Sequence, residues 1–367
     1  TAQTLVANVV TTASGQFSSN VDRFVVLGAR AVFAATGSHG DELWSTDGTP
    51  QGTLLIADLM PMGSSSPAEL LLHNGAVLFV ATVPGHGREL WRTDGTLAGT
   101  QLVADVRPGA TGSNPSALVA FGGFVYFAAN DGVHGTELWR TDGTALGTSL
   151  VRDLLAGPGS SSPTRLTAVG ARLFFAASDG VHGTELWSSD GSAAGTTMVL
   201  DANPGIGSTT IQATAAFGAR LLFRAAFPGN GGEPWISDGT AAGTFALGDL
   251  LAGASGSEPR DFTDLGGFAV FSAAGAGVGR ELFRTDGTVA GTTLVADVLA
   301  GPNGSDPAEL RAHNGVAVFA ATGSNGREPW RSDGSAAGTF ELADLIPGPG
   351  TSSPTAFAPV GAELWFQ

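Results

Sequence analysis

Seven aspartates and seven glutamates recur at a fixed spacing, and their carboxylates are the first groups in this sequence that could do chemistry. The stretch 137–144 reads Glu-Leu-Trp-Arg-Thr-Asp-Gly-Thr, and close copies of it return every 47 or 48 residues. The glutamates are Glu42, Glu89, Glu137, Glu185, Glu233, Glu281 and Glu328, and the aspartates are Asp47, Asp94, Asp142, Asp190, Asp238, Asp286 and Asp333. A calcium site needs several converging oxygen ligands, whereas each copy offers one aspartate beside a glycine suited to a tight turn. The pattern therefore predicts turn residues, no cofactor and no metal, with calcium as the alternative that is not favoured.

An aromatic residue follows each glutamate by two positions. The residues are Trp44, Trp91, Trp139, Trp187, Trp235, Phe283 and Trp330. An exposed tryptophan could stack on a sugar ring, but a large side chain at a fixed repeat position is more typical of a packed core. In a strand the glutamate shares a face with this aromatic residue, so we predict a buried carboxylate that accepts hydrogen bonds from loop amides.

The loop before each glutamate carries a histidine or an asparagine in six of the seven copies. These residues are His39, His86, His134, His182, Asn230 and Asn325. Histidine is a common metal ligand, but these side chains are too far apart in the repeat to share one ion. We predict turn side chains that cap the local backbone, on a rim of loops where any ligand would bind.

One stretch breaks the repeat more than the others. It holds Arg224 inside an apolar segment and crowds Glu258, Arg260, Asp261 and Asp264 near a loop. An enzyme built on repeats would place its site at such a divergence, although a surface ion-pair cluster is the favoured interpretation. The sequence contains no Gly-x-Ser-x-Gly elbow, His-Glu-x-x-His run or phosphate-binding loop.

The elements that must position these residues are short strands. In the copy around Glu185, apolar segments lie at 166–169, 173–177, 185–189 and 197–201, and Gly, Asp, Asn, Ser or Pro separate them. We label these strands A, B, C and D. Four strands in each period, joined by tight turns, predict an all-β protein whose repeats are the four-stranded antiparallel blades of a β-propeller.

The chain ends bear on the number of blades. Seven complete units run from about residue 21 to 345, residues 4–10 resemble strand D, and residues 356–367 resemble strands A and B. We therefore predict one domain over 1–367, an eight-bladed propeller whose last blade is shared by both termini. A seven-bladed propeller is the alternative.

Composition excludes several classes of protein. With 33 acidic and 17 basic residues, the net charge of −16 would repel nucleic acid. Mean hydropathy is +0.17, but the apolar runs have the length of strands, which predicts a protein that is not embedded in a membrane. The absence of cysteine excludes disulfides. None of these features indicates an oligomeric state.

The octapeptide and its period resemble the ELWxxDGT repeat family of bacterial secreted and surface proteins. The likeness covers nearly the whole chain, although Pro234 and Pro329 replace the leucine, Phe283 replaces the tryptophan, and Ser192 and Ser335 replace the last threonine. The resemblance implies a propeller and a secreted or cell-surface location, and it supplies no catalytic residue.

Nearly identical loops favour repeated weak sites over a single catalytic one. The sequence therefore favours a secreted or surface propeller that acts as a binding or scaffold module for glycans or surface polymers over an enzyme, and it leaves the question of catalysis open. The alternative is a polysaccharide-active hydrolase or lyase with its site at the divergent junction between Arg224 and Asp264.

Overall fold

The chain folds into antiparallel meanders of short strands. The structure, a computed structural model, describes residues 22–360 and 363–367. These residues form the thirty strands β1 to β30 and contain no helix. Seven four-stranded sheets, hereafter blades 1 to 7, take their strands in chain order, and a two-stranded sheet follows them. The all-β propeller class that the sequence predicts is confirmed.

The described residues divide into two compact units. Unit 1 runs up to Leu166 and also takes Ala177–Gly180 and Gly191–Gly195, while unit 2 takes the rest. Unit 1 holds blades 1 to 3. Their strands are β1 (Asp22–Leu27), β2 (Arg30–Gly37), β3 (Gly40–Thr46) and β4 (Leu54–Ala57), then β5 (Ala68–His73), β6 (Ala76–Val83), β7 (Gly87–Thr93) and β8 (Gln101–Ala104), then β9 (Ser116–Phe121), β10 (Phe124–Asn130), β11 (Thr136–Thr141) and β12 (Ser149–Arg152).

Unit 2 holds most of blade 4, blades 5 to 7 and the two-stranded sheet. Blade 4 is β13 (Thr164–Val169), β14 (Arg172–Ser178), β15 (Thr184–Ser189) and β16 (Thr197–Leu200), and blade 5 is β17 (Thr210–Phe217), β18 (Arg220–Phe227), β19 (Asn230–Ser237) and β20 (Phe245–Ala246). Blade 6 is β21 (Arg260–Asp264), β22 (Ala269–Gly275), β23 (Gly279–Thr285) and β24 (Thr293–Ala296), and blade 7 is β25 (Ala308–His313), β26 (Val316–Gly323), β27 (Gly326–Ser332) and β28 (Phe340–Glu341). The last sheet is β29 (Ala358–Val360) and β30 (Glu363–Trp365).

The core lies between the faces of adjacent blades. The second strand of each blade is almost wholly apolar because both of its faces are covered, as in β6, where Phe79 is fully buried. In unit 1, Val32 and Leu43 of blade 1 pack with Phe79 and Trp91 of blade 2. In unit 2 the same arrangement joins blades 4 and 5, 5 and 6, and 6 and 7. Each blade therefore needs a neighbour to bury its faces.

The first strands of blades 1, 2, 3, 5, 6 and 7 each carry a bulge that the sequence does not reveal. In blade 6 the register with β22 shifts between Arg260 and Thr263, and Asp261 has a φ of 57°. Corresponding residues with positive φ are Glu69, Ala117, Arg165, Ala213 and Glu309. The bulge inserts an extra residue and turns its side chain out of the ladder.

The favoured count of eight blades is corrected to seven four-stranded blades, the alternative. The last two strands pair only with each other within the part of the chain that the structure describes. Residues 4–10, the predicted outer strand of the shared blade, lie outside the described residues. The prediction of a single domain over 1–367 stays a prediction.

Candidate functional site at the loop ends of the blades

The repeated glutamates tie strand C of one blade to the loop that leads into the next. Glu137 is fully buried, and its carboxylate accepts hydrogen bonds from the amides of Leu154 (3.1 Å) and Ser161 (2.8 Å) and from the Ser161 hydroxyl (2.5 Å). Burial raises the pKa of Glu137. The same tie joins Glu42 to Ser65, Glu89 to Ser113, Glu185 to Thr209, Glu233 to Ser257, Glu281 to Ser305 and Glu328 to Ser352.

The repeated aspartates lie in the turns between strands C and D, at the opposite end of strand C. Asp142 Oδ1 accepts hydrogen bonds from the amide (2.9 Å) and the hydroxyl (2.7 Å) of Thr144. Gly143 between them has a φ of 92°, which favours glycine. A Cβ added to Gly147 would lie 2.0 Å from Asp142 Oδ1, so this second glycine is required by the carboxylate itself. The Asp-Gly-Thr turn is thus a closed hydrogen-bonded unit.

The motif aromatics pack into the cores between blades. Trp91 and Trp187 are 8% and 6% exposed to solvent, and Phe283 is 5% exposed. Trp139, Trp235 and Trp330 are partly buried against neighbouring clusters, and Trp44 packs on Phe33 and Ala35. These rings are not open platforms on which a sugar could stack.

Histidine and aspartate side chains meet where the loop between strands B and C approaches the end of strand D. His39 Nδ1 lies 3.0 Å from Asp58 Oδ2, and His86 Nδ1 lies 2.8 Å from Asp105 Oδ2. In blade 1 the pair lines a cleft of about 630 Å³ together with Met62 and Ser64. An aspartate on Nδ1 fixes the imidazole and leaves Nε2 turned away from the pair.

Other candidate loop residues are placed differently. His134 Nδ1 lies 2.7 Å from Asp131 of its own loop, which raises the pKa of His134. Asn325 donates from Nδ2 to Glu341 Oε1 (3.2 Å). His182 lies in the corresponding loop of blade 4, and Asn230 is the first residue of β19, where its backbone pairs with Phe227.

The divergent stretch forms part of a larger ion-pair network in unit 2. Arg224 Nη1 contacts Glu258 Oε2, and Arg260 Nη2 lies 2.5 Å from Asp306 Oδ1. The network continues through Arg280, which donates to Glu258 O (2.9 Å), and through Arg327, which donates to Asp306 O (2.8 Å).

The predicted cluster groups Arg224 correctly with Glu258 but lacks the other half of this network. Asp306 lies one period after Glu258, and Arg280 and Arg327 each stand directly before a motif glutamate. Alignment of the repeats could have found these three residues. Asp261 accepts from the amide of Glu309 (3.1 Å) and Asp264 accepts from Gly266 (2.8 Å), so neither belongs to the network.

Among the described residues, no group of three or more His, Cys, Asp or Glu side chains is placed to hold a metal ion. In the same residues no helix has the length and apolar character needed to cross a bilayer.

Several solved structures that resemble this chain come from studies of peptidases. A structure from a study of two prolyl endopeptidases matches 88% of this chain and 49% of its own, with 12% identity and a TM-score of 0.50. The β-propeller domain of the Trilobed protease from Pyrococcus furiosus matches with 11% identity, a TM-score of 0.45 and coverage of 89% of this chain and 98% of that one. A puromycin-hydrolyzing peptidase of Mycobacterium tuberculosis matches with 14% identity, a TM-score of 0.45 and coverage of 92% and 56%. No family model and no curated protein matches the sequence.

These comparisons correct the functional prediction. This chain spans about half the length of the prolyl endopeptidase that shares its fold. The structure that matches at a TM-score of 0.50 comes from a study of prolyl endopeptidases, and this finding contradicts the predicted scaffold for glycans or surface polymers and its alternative, a polysaccharide hydrolase or lyase. The repetition does not indicate a ligand class, because it reflects the glutamate hydrogen bonds and the turns that all blades share, while the chemistry of the loops differs between copies.

Proposed function

We propose that this chain is the propeller part of a peptidase-type protein, in which it contacts peptide substrates while a catalytic domain supplies the nucleophile. The observation that carries the proposal is the fold shared with a prolyl endopeptidase over 88% of this chain and 49% of that protein. The sequence has no Gly-x-Ser-x-Gly elbow, which agrees with a nucleophile outside these repeats.

The loop ends of the blades offer the contacts that a peptide needs. An extended peptide presents amide donors and acceptors, charged termini and apolar side chains. In blade 1 the cleft beside His39 and Asp58 combines polar groups with the fully exposed side chain of Met62. In unit 2 the arginine network presents guanidinium groups.

The proposal is tested with the purified chain alone. Proline-containing peptides and a matched panel of oligosaccharides are passed over the immobilised protein, and the same peptides are incubated with it and analysed by mass spectrometry. We expect retention of peptides, no retention of oligosaccharides and no cleavage. Cleavage by the purified chain would locate the catalytic site within these repeats, and failure to retain any peptide would remove the proposal.

Membership of the ELWxxDGT repeat family and a location outside the bacterial cytoplasm belong to the same proposal. They are supported by the seven copies of the octapeptide at a period of 47 or 48 residues. Fractionation of the producing bacterium checks the location, since a protein recovered only from the cytoplasm contradicts it.

A further inference from the structure

Four arginines gather at the loop ends of blades 5 to 7, in a chain that has only 17 basic residues against 33 acidic ones. Arg224 lies on β18, Arg260 begins β21, Arg280 lies near the start of β23 and Arg327 near the start of β27. All four belong to unit 2. In the other blades, the position of Arg224 on the second strand is occupied by a small or apolar residue.

Two loop acids hold the four guanidinium groups together. Glu258 contacts Arg224 through its carboxylate and accepts from Arg280 through its backbone carbonyl at 2.9 Å. Asp306 repeats this arrangement one period later, with its carboxylate 2.5 Å from Arg260 Nη2 and its carbonyl 2.8 Å from Arg327 Nη1. Arg280 Nε is also 3.9 Å from Asp306 Oδ1. The four arginines are therefore one connected network with two carboxylates.

Positive charge exceeds negative charge in this network. Burial lowers the pKa of Arg280, and the charges of Arg260 and Arg224 lower it further against the opposing effect of Asp306 and Glu258. Arg327 shows the same direction, with burial as the main cause.

Hydrogen-bond donors in the network also exceed acceptors. Nε of Arg224 and of Arg260 is buried and has no acceptor among the described residues. The neighbouring acids are engaged elsewhere, because Asp261 accepts from the Glu309 amide and Glu309 lies 3.7 Å from Arg311. The network has capacity for another anion.

The exposed members of the network decide where a ligand can approach. Arg260 is 42% exposed and Asp306 is 57% exposed, whereas Arg224 and Arg280 are 17% and 19% exposed. The less exposed arginines are held by Glu258, so the guanidinium groups are fixed before a ligand arrives. A planar guanidinium matches a carboxylate through two parallel hydrogen bonds.

We propose that the network centred on Arg260 binds a carboxylate of a peptide ligand, either its C-terminus or an acidic side chain. The ligand class rests on the proposed function, while the anion site rests on the arginine geometry. The two can therefore be tested separately.

The first experiment compares three fluorescent peptides of one proline-containing sequence: the free acid, the C-terminal amide, and the amide with one internal glutamate. Binding to the full chain is measured by anisotropy. We expect the free acid or the glutamate peptide to bind at least about tenfold more tightly than the plain amide, and the stronger of the two identifies the source of the carboxylate. Arg260→Gln should abolish the difference.

Arg311→Gln is the matched control. Arg311 is 50% exposed, belongs to the same unit and contacts Glu309, which is outside the network. This variant should retain the discrimination between acid and amide. Unchanged thermal melting of both variants shows that they are folded. Equal binding of all three peptides would overturn the carboxylate site and leave the peptide-binding proposal standing.

The second experiment does not depend on peptide binding. The chain labelled with ¹⁵N-arginine is titrated with N-acetylalanine, which carries a carboxylate, and with its amide. Arg224→Gln and Arg260→Gln assign the two Nε–Hε signals. We expect both signals to shift with the acid and neither with the amide. If the acid causes no shift, the carboxylate site is wrong, whatever the peptides do. If the acid causes the shift but no peptide binds, only the proposed function is wrong.

Discussion

At the scale of single residues, the repeated carboxylates differ in role because their surroundings differ. Glu137 is buried among loop donors, whereas Asp142 closes an exposed turn. Burial raises the pKa of Glu137, while the hydrogen bonds from Thr144 lower the pKa of Asp142. One octapeptide thus contains two acids whose pKa values are shifted in opposite directions.

Glu137→Gln tests the buried tie. The substitution replaces one carboxylate oxygen with an NH₂ group, which then faces the amide of either Leu154 or Ser161, so that one donor faces another. The free energy of unfolding should fall by about 1–3 kcal/mol in urea denaturation. Glu363→Gln, at an exposed position, is the control and should change it by less than about 0.5 kcal/mol. Equal effects of the two variants would contradict a stabilising role for the hydrogen bonds between Glu137 and the loop at Leu154 and Ser161.

Gly147→Ala and Asp142→Ala test the turn together. A methyl group at position 147 meets the Asp142 carboxylate at 2.0 Å, so the first variant should lose about 1–3 kcal/mol of unfolding free energy. Asp142→Ala removes a turn acceptor and should cost about 1 kcal/mol. In the double variant, the alanine at position 147 should lower the free energy of unfolding by less than about 0.5 kcal/mol, because the Asp142 carboxylate that it would clash with has been removed. Strict additivity would show that the glycine is needed for another reason.

At the scale of elements, period and turn chemistry place the strands well. The sequence predicts strand C of blade 4 at 185–189 and strand B at 173–177, and the structure has Thr184–Ser189 and Arg172–Ser178. Alternating apolar residues and glycine turns are local signals, so a sequence carries them. The bulge at Asp261 and the pairing of Arg260 with Asp306 depend on contacts across about one repeat, and local patterns do not encode them.

The cores between blades make a prediction about the aromatic positions. Trp91 is 8% exposed in the core between blades 1 and 2, and Trp365 on β30 is 56% exposed. Trp91→Ala should lower the free energy of unfolding by about 3–5 kcal/mol, and Trp365→Ala by less than about 1 kcal/mol. Chemical denaturation of both variants measures the difference. Similar losses would mean that the motif tryptophans are not core residues.

At the scale of the whole molecule, the repeats share their scaffold and differ in their loops. Histidine–aspartate pairs occupy the loop ends of blades 1 to 3, and the arginine network occupies those of blades 5 to 7. Repeat analysis predicts the scaffold because every copy contributes the same signal. Loop chemistry differs between copies, so alignment of the repeats can indicate the members of the Arg224 to Arg327 network, but the contacts between them are visible only in the structure.

The pH dependence of stability follows from both sets of carboxylates. Burial raises the folded-state pKa of Glu89, Glu137, Glu185 and Glu281 above the unfolded-state value of 4.5. Their contribution to stability therefore falls as the pH rises from 4.5 through the raised folded-state pKa. Hydrogen bonds lower the pKa of Asp47, Asp94, Asp142, Asp238, Asp286 and Asp333 below 3.8, so their contribution is lost as pH falls below that value. The free energy of unfolding should therefore be greatest at about pH 4–5.

Denaturant titrations at a series of pH values check this optimum. Glu137→Gln should make the decline above pH 4.5 shallower. Glu328→Gln is the control. Burial raises the pKa of Glu328, but hydrogen bonds from Ser352 and Leu345 outweigh burial and lower it. This variant should therefore leave the decline in stability above pH 4.5 unchanged. A curve that rises steadily from pH 4 to 7 would contradict the assignment of the buried glutamates.

The glutamate tie also bears on how such a chain can change length. Glu137 reaches Ser161, 24 residues ahead, and so each tie crosses from one blade into the segment that begins the next. Deleting a 48-residue stretch anywhere between Glu42 and Ser305 leaves every remaining glutamate with a serine or threonine 23 or 24 residues ahead. We therefore expect a chain shortened by one copy in this region to re-form the hydrogen bonds between consecutive blades with a substitute partner.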